Sequence, residues 1–183
     1  MKDDNLADRN FVKIEIVPKN MKKITRNRRD WIYQENEEGT LPDWYVLDKG
    51  RFKKMCWKAW KESVKVNLVL GNEKREVKDM YIFAVGDSIV YARGNSTVKA
   101  YDRSTVYVYD NSIVHADDNS TVHTDDSSIV YARGNSTVKA YDSSTVHAHD
   151  NSTVDADANS TVYAYDRSTV YVYDNSIVHA DDD

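Results

Sequence analysis

A chain of 183 residues with a formal net charge of −5 and a single cysteine cannot close a disulfide on itself, which fits a reducing, cytoplasmic compartment. It holds no apolar run long enough to span a bilayer and opens on no basic-then-apolar leader, so the expectation is a soluble, unexported protein. The charge is divided unevenly: residues 1–85 hold 19 Lys and Arg against 14 Asp and Glu, whereas residues 86–183 hold 6 against 16 and no glutamate. Such asymmetry points to an electrostatic partner, or to attraction between the halves.

In chain order, residues 11–17 alternate apolar and charged side chains up to Pro18, which predicts a strand with one buried face. Five cations come next within eight residues, Lys22, Lys23, Arg26, Arg28 and Arg29, with Trp31 and Tyr33 just beyond. A basic run beside aromatics holds phosphates by charge and bases by stacking, so these five are the candidate nucleic-acid contacts. The plainer alternative is a solvated basic edge with both rings in a small core. Glu35, Glu37 and Glu38 would repel a phosphate backbone.

Residues 39–42 read as a loop and residues 44–47 as a short strand. Residues 51–63 read as a helix in which Phe52, Met55, Cys56, Ala59 and Trp60 share one face and Lys53, Lys54, Lys58 and Lys61 occupy the other. The aromatic stripe is read as core, because a small domain needs its rings to bury area. Cys56 is read as packing, with no histidine before His115 to activate it. Residues 64–70 alternate, Gly71-Asn72 turns, and residues 77–85 return as a strand, which predicts a hairpin whose second strand leads into Gly86. Residues 1–85 are thus expected to form a small basic α+β cap domain over one open end of the C-terminal half.

From Gly86 onward an eight-residue unit, x-x-Ser-[Thr/Ile]-Val-x-[Ala/Val/Thr]-x, is repeated twelve times without insertion, its serine running from Ser88 to Ser176. A fixed short period of this kind is the signature of a solenoid, in which each unit buries its apolar side only against its neighbours. Within an extended unit, Ser, Val and Ala share one side and Thr or Ile shares the other with Tyr, Lys, His and Asp. The small side must face in. Asp-Asn, Gly-Asn and similar pairs between units are corners, because Asp, Asn and Gly tolerate left-handed backbone. The Asn-Ser-Thr triplets at Asn95, Asn119, Asn135, Asn151 and Asn159 read as the same corners, not as glycosylation acceptors.

Side chains this small fill only a thin gap between two facing sheets, so the predicted coil has two strands and 16 residues. The expected fold is mainly β: an acidic two-sided β-solenoid over residues 86–183, six coils and about 28 Å long at ~4.8 Å per coil. No capping element is predicted after His179: either the final aspartates protect that end or, the preferred reading, it packs against a second copy as a symmetric homodimer.

The outward sixth and eighth places carry ten tyrosines, rich material for an interface, although aromatic ladders can also serve only to stabilise the sheets. The candidate partner-binding residues are Tyr107, Tyr109, Asp117, Asp125, Tyr141, Asp155, Asp157, Tyr163, Tyr165, Tyr171 and Tyr173. His147 and His149 on one strand suggest a metal only weakly, and ranks of threonine suggest ice binding, against which their Tyr, Lys and Asp neighbours argue. No metal, cofactor or catalytic residue is assigned, since a convex surface of strands implies no pocket.

The octapeptide, as in residues 142–154, resembles the repeats of uncharacterised octapeptide-repeat β-solenoid proteins of phages and gut bacteria. In physical logic the coil is also similar to pentapeptide-repeat DNA mimics and to some anti-CRISPR proteins. Duplex DNA bears about one charge per 1.7 Å, so ~28 Å of it bears on the order of 16. The resemblance implies a non-enzymatic, phage-encoded inhibitor in a bacterial cytoplasm, whose acidic surface blocks a CRISPR nuclease or another DNA-handling enzyme while the basic cap touches nucleic acid. A structural or adhesive spacer is the alternative.

Overall fold

The computed structural model describes residues 14–20, 25–35 and 43–181. The predicted strand residues 11–13, the loop at 39–42 and the cations Lys22 and Lys23 lie outside them. The chain divides into two compact units, residues 1–66 and 67–183.

In the first unit, β1 (Ile14–Pro18) pairs antiparallel with β2 (Trp31–Glu35), Ile14 opposite Glu35 and Pro18 opposite Trp31. A 3-10 turn at Arg28–Asp30 leads into β2, capped by the Asn27 side chain, which accepts from the Arg29 amide. Helix α1 spans Asp43–Asn67, with one non-helical residue at Asp48. Two expectations are corrected here. Residues 44–47, predicted as a strand, are helical, because a four-residue apolar run carries no period of its own and joins the helix next to it. Residues 64–67 alternate like a strand yet continue α1, since extending an existing helix adds a hydrogen bond per residue without a new nucleus. Among the described residues no helix is long and apolar enough to cross a membrane.

The second unit is the predicted two-sided solenoid, with about 16 residues per coil. Its strands begin with β3 (Leu68–Leu70), β4 (Lys74–Lys78), β5 (Tyr81–Val85) and β6 (Ile89–Arg93). One four-residue strand per repeat comes after these, from β7 (Thr97–Ala100) to β16 (Thr169–Val172) and β17 (Ile177–Ala180). Odd strands form an eight-stranded parallel sheet and even strands a seven-stranded one, about seven coils in all. The hairpin predicted from residues 64–85 is not formed. Instead β3 pairs parallel with β5, and β4 with β6, so these strands are further turns of the same coil.

Identical places stack at intervals of 16, as Val122 does on Val106 and Val138. The fifth-place valines from Val90 to Val162 are wholly buried, together with the alanines beside them and the serines from Ser88 to Ser160. Several of those serine hydroxyls, Ser136 among them, have no hydrogen-bond partner. The last coil is more open: Val170 and Val178 are only partly buried, and Val172 is 48% exposed.

Each corner turns on one residue with positive φ, always the first place of the unit. Gly86, Gly94 and Gly134 are three of the twelve, eight are aspartates from Asp102 to Asp174, and Ala158 (φ 57°) is the exception. A Cβ on Gly134 would meet the Asp118 backbone at 3.2 Å, so glycine eases a close approach at that corner besides supplying φ. Alanine at Ala158 has neither glycine's freedom nor a side chain able to bond locally, and left-handed backbone costs an L-residue about 1–2 kcal/mol. Ala158→Gly is therefore expected to stabilise the solenoid by about 0.5–1 kcal/mol, read as a higher urea midpoint with unchanged slope.

Candidate functional site

Two outward ladders run the length of the coil. On the seven-stranded sheet the sixth places read Glu76, Tyr91, Tyr107, His123, Lys139, Asp155 and Tyr171. On the eight-stranded sheet they read Phe83, Lys99, His115, Tyr131, His147, Tyr163 and His179. A coil spacing of ~4.8 Å falls within the centroid separations of offset-stacked rings, so the rings stack with their planes nearly parallel. Tyr91, Tyr107 and His123 have centroids 5.0 and 4.8 Å apart, and the run from His115 to His179 stacks at 4.9–5.0 Å with planes within 16°. Inner rings thus offer a partner their edges, not their faces.

Burial pushes the imidazoles of His115, His123 and His147 below the ordinary value of 6.5, helped by Lys99 at His115, Lys139 at His123 and His149 at His147. The unfolded chain binds these protons more readily than the folded one. Stability is therefore full above pH 6.5 and falls as pH drops below it. A melting temperature that declines between pH 7 and 5 is expected, and His115→Tyr with His147→Tyr, which extends the phenol ladder, should flatten that decline.

The eight-stranded sheet displays no carboxylate in the fourth and sixth places of its strands from β5 to β17. On the other sheet Thr105, Thr121, Thr137, Thr153 and Thr169 form an unbroken rank, flanked by the bulkier ladder from Tyr107 to Tyr171. The aspartates stand almost entirely on the corners, and the two corners differ.

Where β6 passes to β7, and at each later coil on that side, the eighth place reads Arg93, Tyr109, Asp125, Tyr141, Asp157 and Tyr173. The first place beside it reads Gly94, Asp110, Asp126, Asp142, Ala158 and Asp174. This edge holds six aspartates and three tyrosines against one arginine. Arg93 is already engaged, 3.0 Å from Glu76 and 4.8 Å from the Tyr109 ring. Tyr141 and Tyr173 are 41% and 54% exposed. The opposite edge mixes signs, carrying Arg103, Arg133 and Arg167 among its aspartates, with Arg103 bidentate on Asp87 at 2.8 and 3.0 Å.

Corner carboxylates also bond from coil to coil. Asp110 accepts from the Gly94 amide at 2.8 Å and Asp126 from the Asp110 amide at 3.1 Å. Asp125, Asp126 and Asp142 bring carboxylate oxygens within 4.8 Å of one another. Their mutual hydrogen bond and repulsion, Asp125 foremost, push the Asp142 carboxyl above the ordinary value of 3.8.

Of the eleven candidate partner-binding residues, five (Tyr109, Asp125, Tyr141, Asp157 and Tyr173) form one column on the acidic edge. Tyr107, Asp155 and Tyr171 lie on the seven-stranded face, Tyr163 on the eight-stranded face, and Asp117 and Tyr165 on the mixed edge. Asp110, Asp126, Asp142 and Asp174 were not among the candidates but belong to the acidic column. Their shared parity with Asp125 and Asp157 in a 16-residue coil was the available signal.

In the first unit, Arg26, Arg28 and Arg29 are exposed. The Arg28 guanidinium lies 4.4 Å over the Trp57 ring, and the Lys53 ammonium 5.1 Å over Tyr33. Trp31 meets Trp60 edge to face at 5.4 Å and donates from Nε1 to the Thr25 carbonyl at 2.7 Å. Basic edge and small aromatic core are thus one structure. Glu35, expected to repel phosphate, is paired with Lys49 at 2.6 Å; Glu37 and Glu38 lie outside the described residues. Lys19, Lys53 and Trp57 join the basic run from elsewhere in the sequence and were not among the predicted contacts.

Comparisons with protein-family models, curated proteins and solved structures returned no match.

Proposed function

We propose that the solenoid is a non-enzymatic, protein-binding inhibitor whose acidic edge occupies the basic nucleic-acid channel of a DNA-handling enzyme, a CRISPR nuclease being one such target. The observation that carries this reading is the make-up of one edge, six aspartates and three tyrosines against one arginine, where the opposite edge sets three arginines among its seven aspartates. Five coil steps separate Arg93 from Tyr173, about 24 Å at ~4.8 Å each. One DNA strand carries about seven phosphates over that length, close to the aspartate count of the edge.

The tyrosines suit the same role. Each adds a large contact area with a polar tip at little entropic cost, and they alternate with aspartates along the eighth-place column. In its logic the edge is similar to the pentapeptide-repeat DNA mimics and to anti-CRISPR inhibitors, which accords with the likeness of the octapeptide to repeats of phages and gut bacteria. A bacterial cytoplasm is the compartment such an inhibitor needs.

A rigid spacer is the competing reading, and the self-stacked ring ladders favour it. The two readings differ in salt dependence. Binding of the full chain to purified CRISPR nucleases and other DNA-handling enzymes is measured at increasing salt and against duplex DNA as competitor. Occlusion by the edge requires binding that weakens as salt rises and is displaced by DNA. No binding at low salt ends the inhibitor reading.

A further inference from the structure

We infer that the groove between the β1–β2 hairpin and α1 binds single-stranded nucleic acid. The groove is open and encloses about 860 Å³, within the range of ligand sites, roughly 300–1,000 Å³. Among the described residues four cations line it, Lys19, Arg28, Arg29 and Lys53, and no carboxylate. Two nearby acids have partners of their own: Asp30 accepts from the Thr25 hydroxyl at 2.5 Å, and Glu35 is held by Lys49. Among the described residues none of the four cations has a carboxylate partner.

The aromatic lining selects the form of nucleic acid. Tyr33 and Trp57 stand in the groove wall, each with a cation over its ring. A guanidinium held over an indole ring still has N–H donors to offer a phosphate. Rings and cations thereby line one groove together, the combination that grips a strand by backbone charge and base stacking. Duplex DNA keeps its base faces stacked inside and can use only the charges. The groove should therefore prefer an unpaired strand.

This inference concerns the first unit and is independent of the acidic edge of the second. The test uses the full chain and fluorescein-labelled 12-mers: oligo(dT), a mixed-sequence RNA and a 12-bp duplex. Anisotropy is read at 50 and 200 mM NaCl, with tryptophan emission as a second signal. Both single strands should bind tighter than the duplex and quench the emission. Four phosphate contacts give a slope of about −3 in log K against log salt, or a loss of roughly 50-fold between the two salts.

Arg29→Glu combined with Lys53→Glu changes exposed side chains only, and should weaken strand binding at least about tenfold with unchanged circular dichroism. Absence of binding at 50 mM NaCl, an unchanged affinity in the double variant, or equal affinity for the duplex would each overturn the inference. Variants of the acidic edge should leave oligonucleotide binding where it was, which separates a failure here from a failure of the inhibitor reading.

Discussion

Val130→Asp is expected to collapse the middle of the solenoid, whereas Val178→Asp, the same change at the same place of the unit, should cost little. Val130 is wholly buried between Val114 and Val146 of the neighbouring coils. A carboxylate there would lie among buried Val, Ala and Ser side chains with no cation beside it, and an unpaired buried charge costs several kcal/mol, roughly 4 or more. The damage also spreads along the stack. In a quasi-one-dimensional structure each coil is held only by its neighbours, so a broken central coil removes the coupling between the coils on either side.

Val178 sits in the last coil, partly exposed and stacked on one side only, where a carboxylate can reach water. A cost of about 1 kcal/mol or less is expected. Thermal melts followed by far-ultraviolet circular dichroism give the comparison directly. A Val130→Asp protein melting within a few degrees of the unchanged chain would mean that the central valines do not form the core.

The inward place of both valines was legible in the sequence, because a strict period states which side chains repeat toward the interior, but the openness of Val178 was not. Ser, Val and Ala at alternate places indicated a thin two-walled coil, and the volume of those residues indicated 16 per turn. The coils ahead of Gly86 were not legible in the same way. Leu68 pairs with Phe83 and Lys74 with Ile89, both 15 apart, and only from Tyr81 with Thr97 does the spacing become 16. Residues 68–85 also lack the Ser-x-Val core of the unit, so they looked like a hairpin, whose local alternation is the same. Pairing partners, not local pattern, decide between the two.

The placing of charge on the coil was not legible for a related reason. Counting residues 86–183 places the acid in the repeats but treats the surface as uniform, and it is the two-strand coil that sends alternate eighth places to opposite edges. Asp125 and Asp157 then join Asp110, Asp126, Asp142 and Asp174, while Arg103, Arg133 and Arg167 go to the other side. The groove of the first unit has the same origin: Lys53 and Trp57, one helical turn apart on α1, meet Arg28 and Tyr33 only after folding.

Neutralising four carboxylates on the acidic edge, as Asp125→Asn, Asp126→Asn, Asp142→Asn and Asp157→Asn together, is expected to weaken binding to the target enzyme by about 100-fold or more at low salt. The salt dependence should flatten as well, because fewer charges remain to be screened. A matched set on the mixed edge, Asp102→Asn, Asp118→Asn, Asp150→Asn and Asp166→Asn, removes the same charge from the protein and should change binding only slightly. Asparagine keeps the acceptor that bonds the neighbouring coil and tolerates positive φ, so neither set should unfold the corners.

The acidic-edge set carries an internal check. Folded Asp142 holds its proton more tightly than the unfolded chain does, so this one carboxyl's contribution to stability is present below the ordinary 3.8 and is lost as pH rises above it. Removing that repulsion should raise the melting temperature at pH 7 and leave it unchanged near pH 3. A protein that becomes more stable and binds more weakly has lost an interface and kept its fold. Equal losses from the two sets would instead assign the binding to net charge, and the edge would have no special part in it.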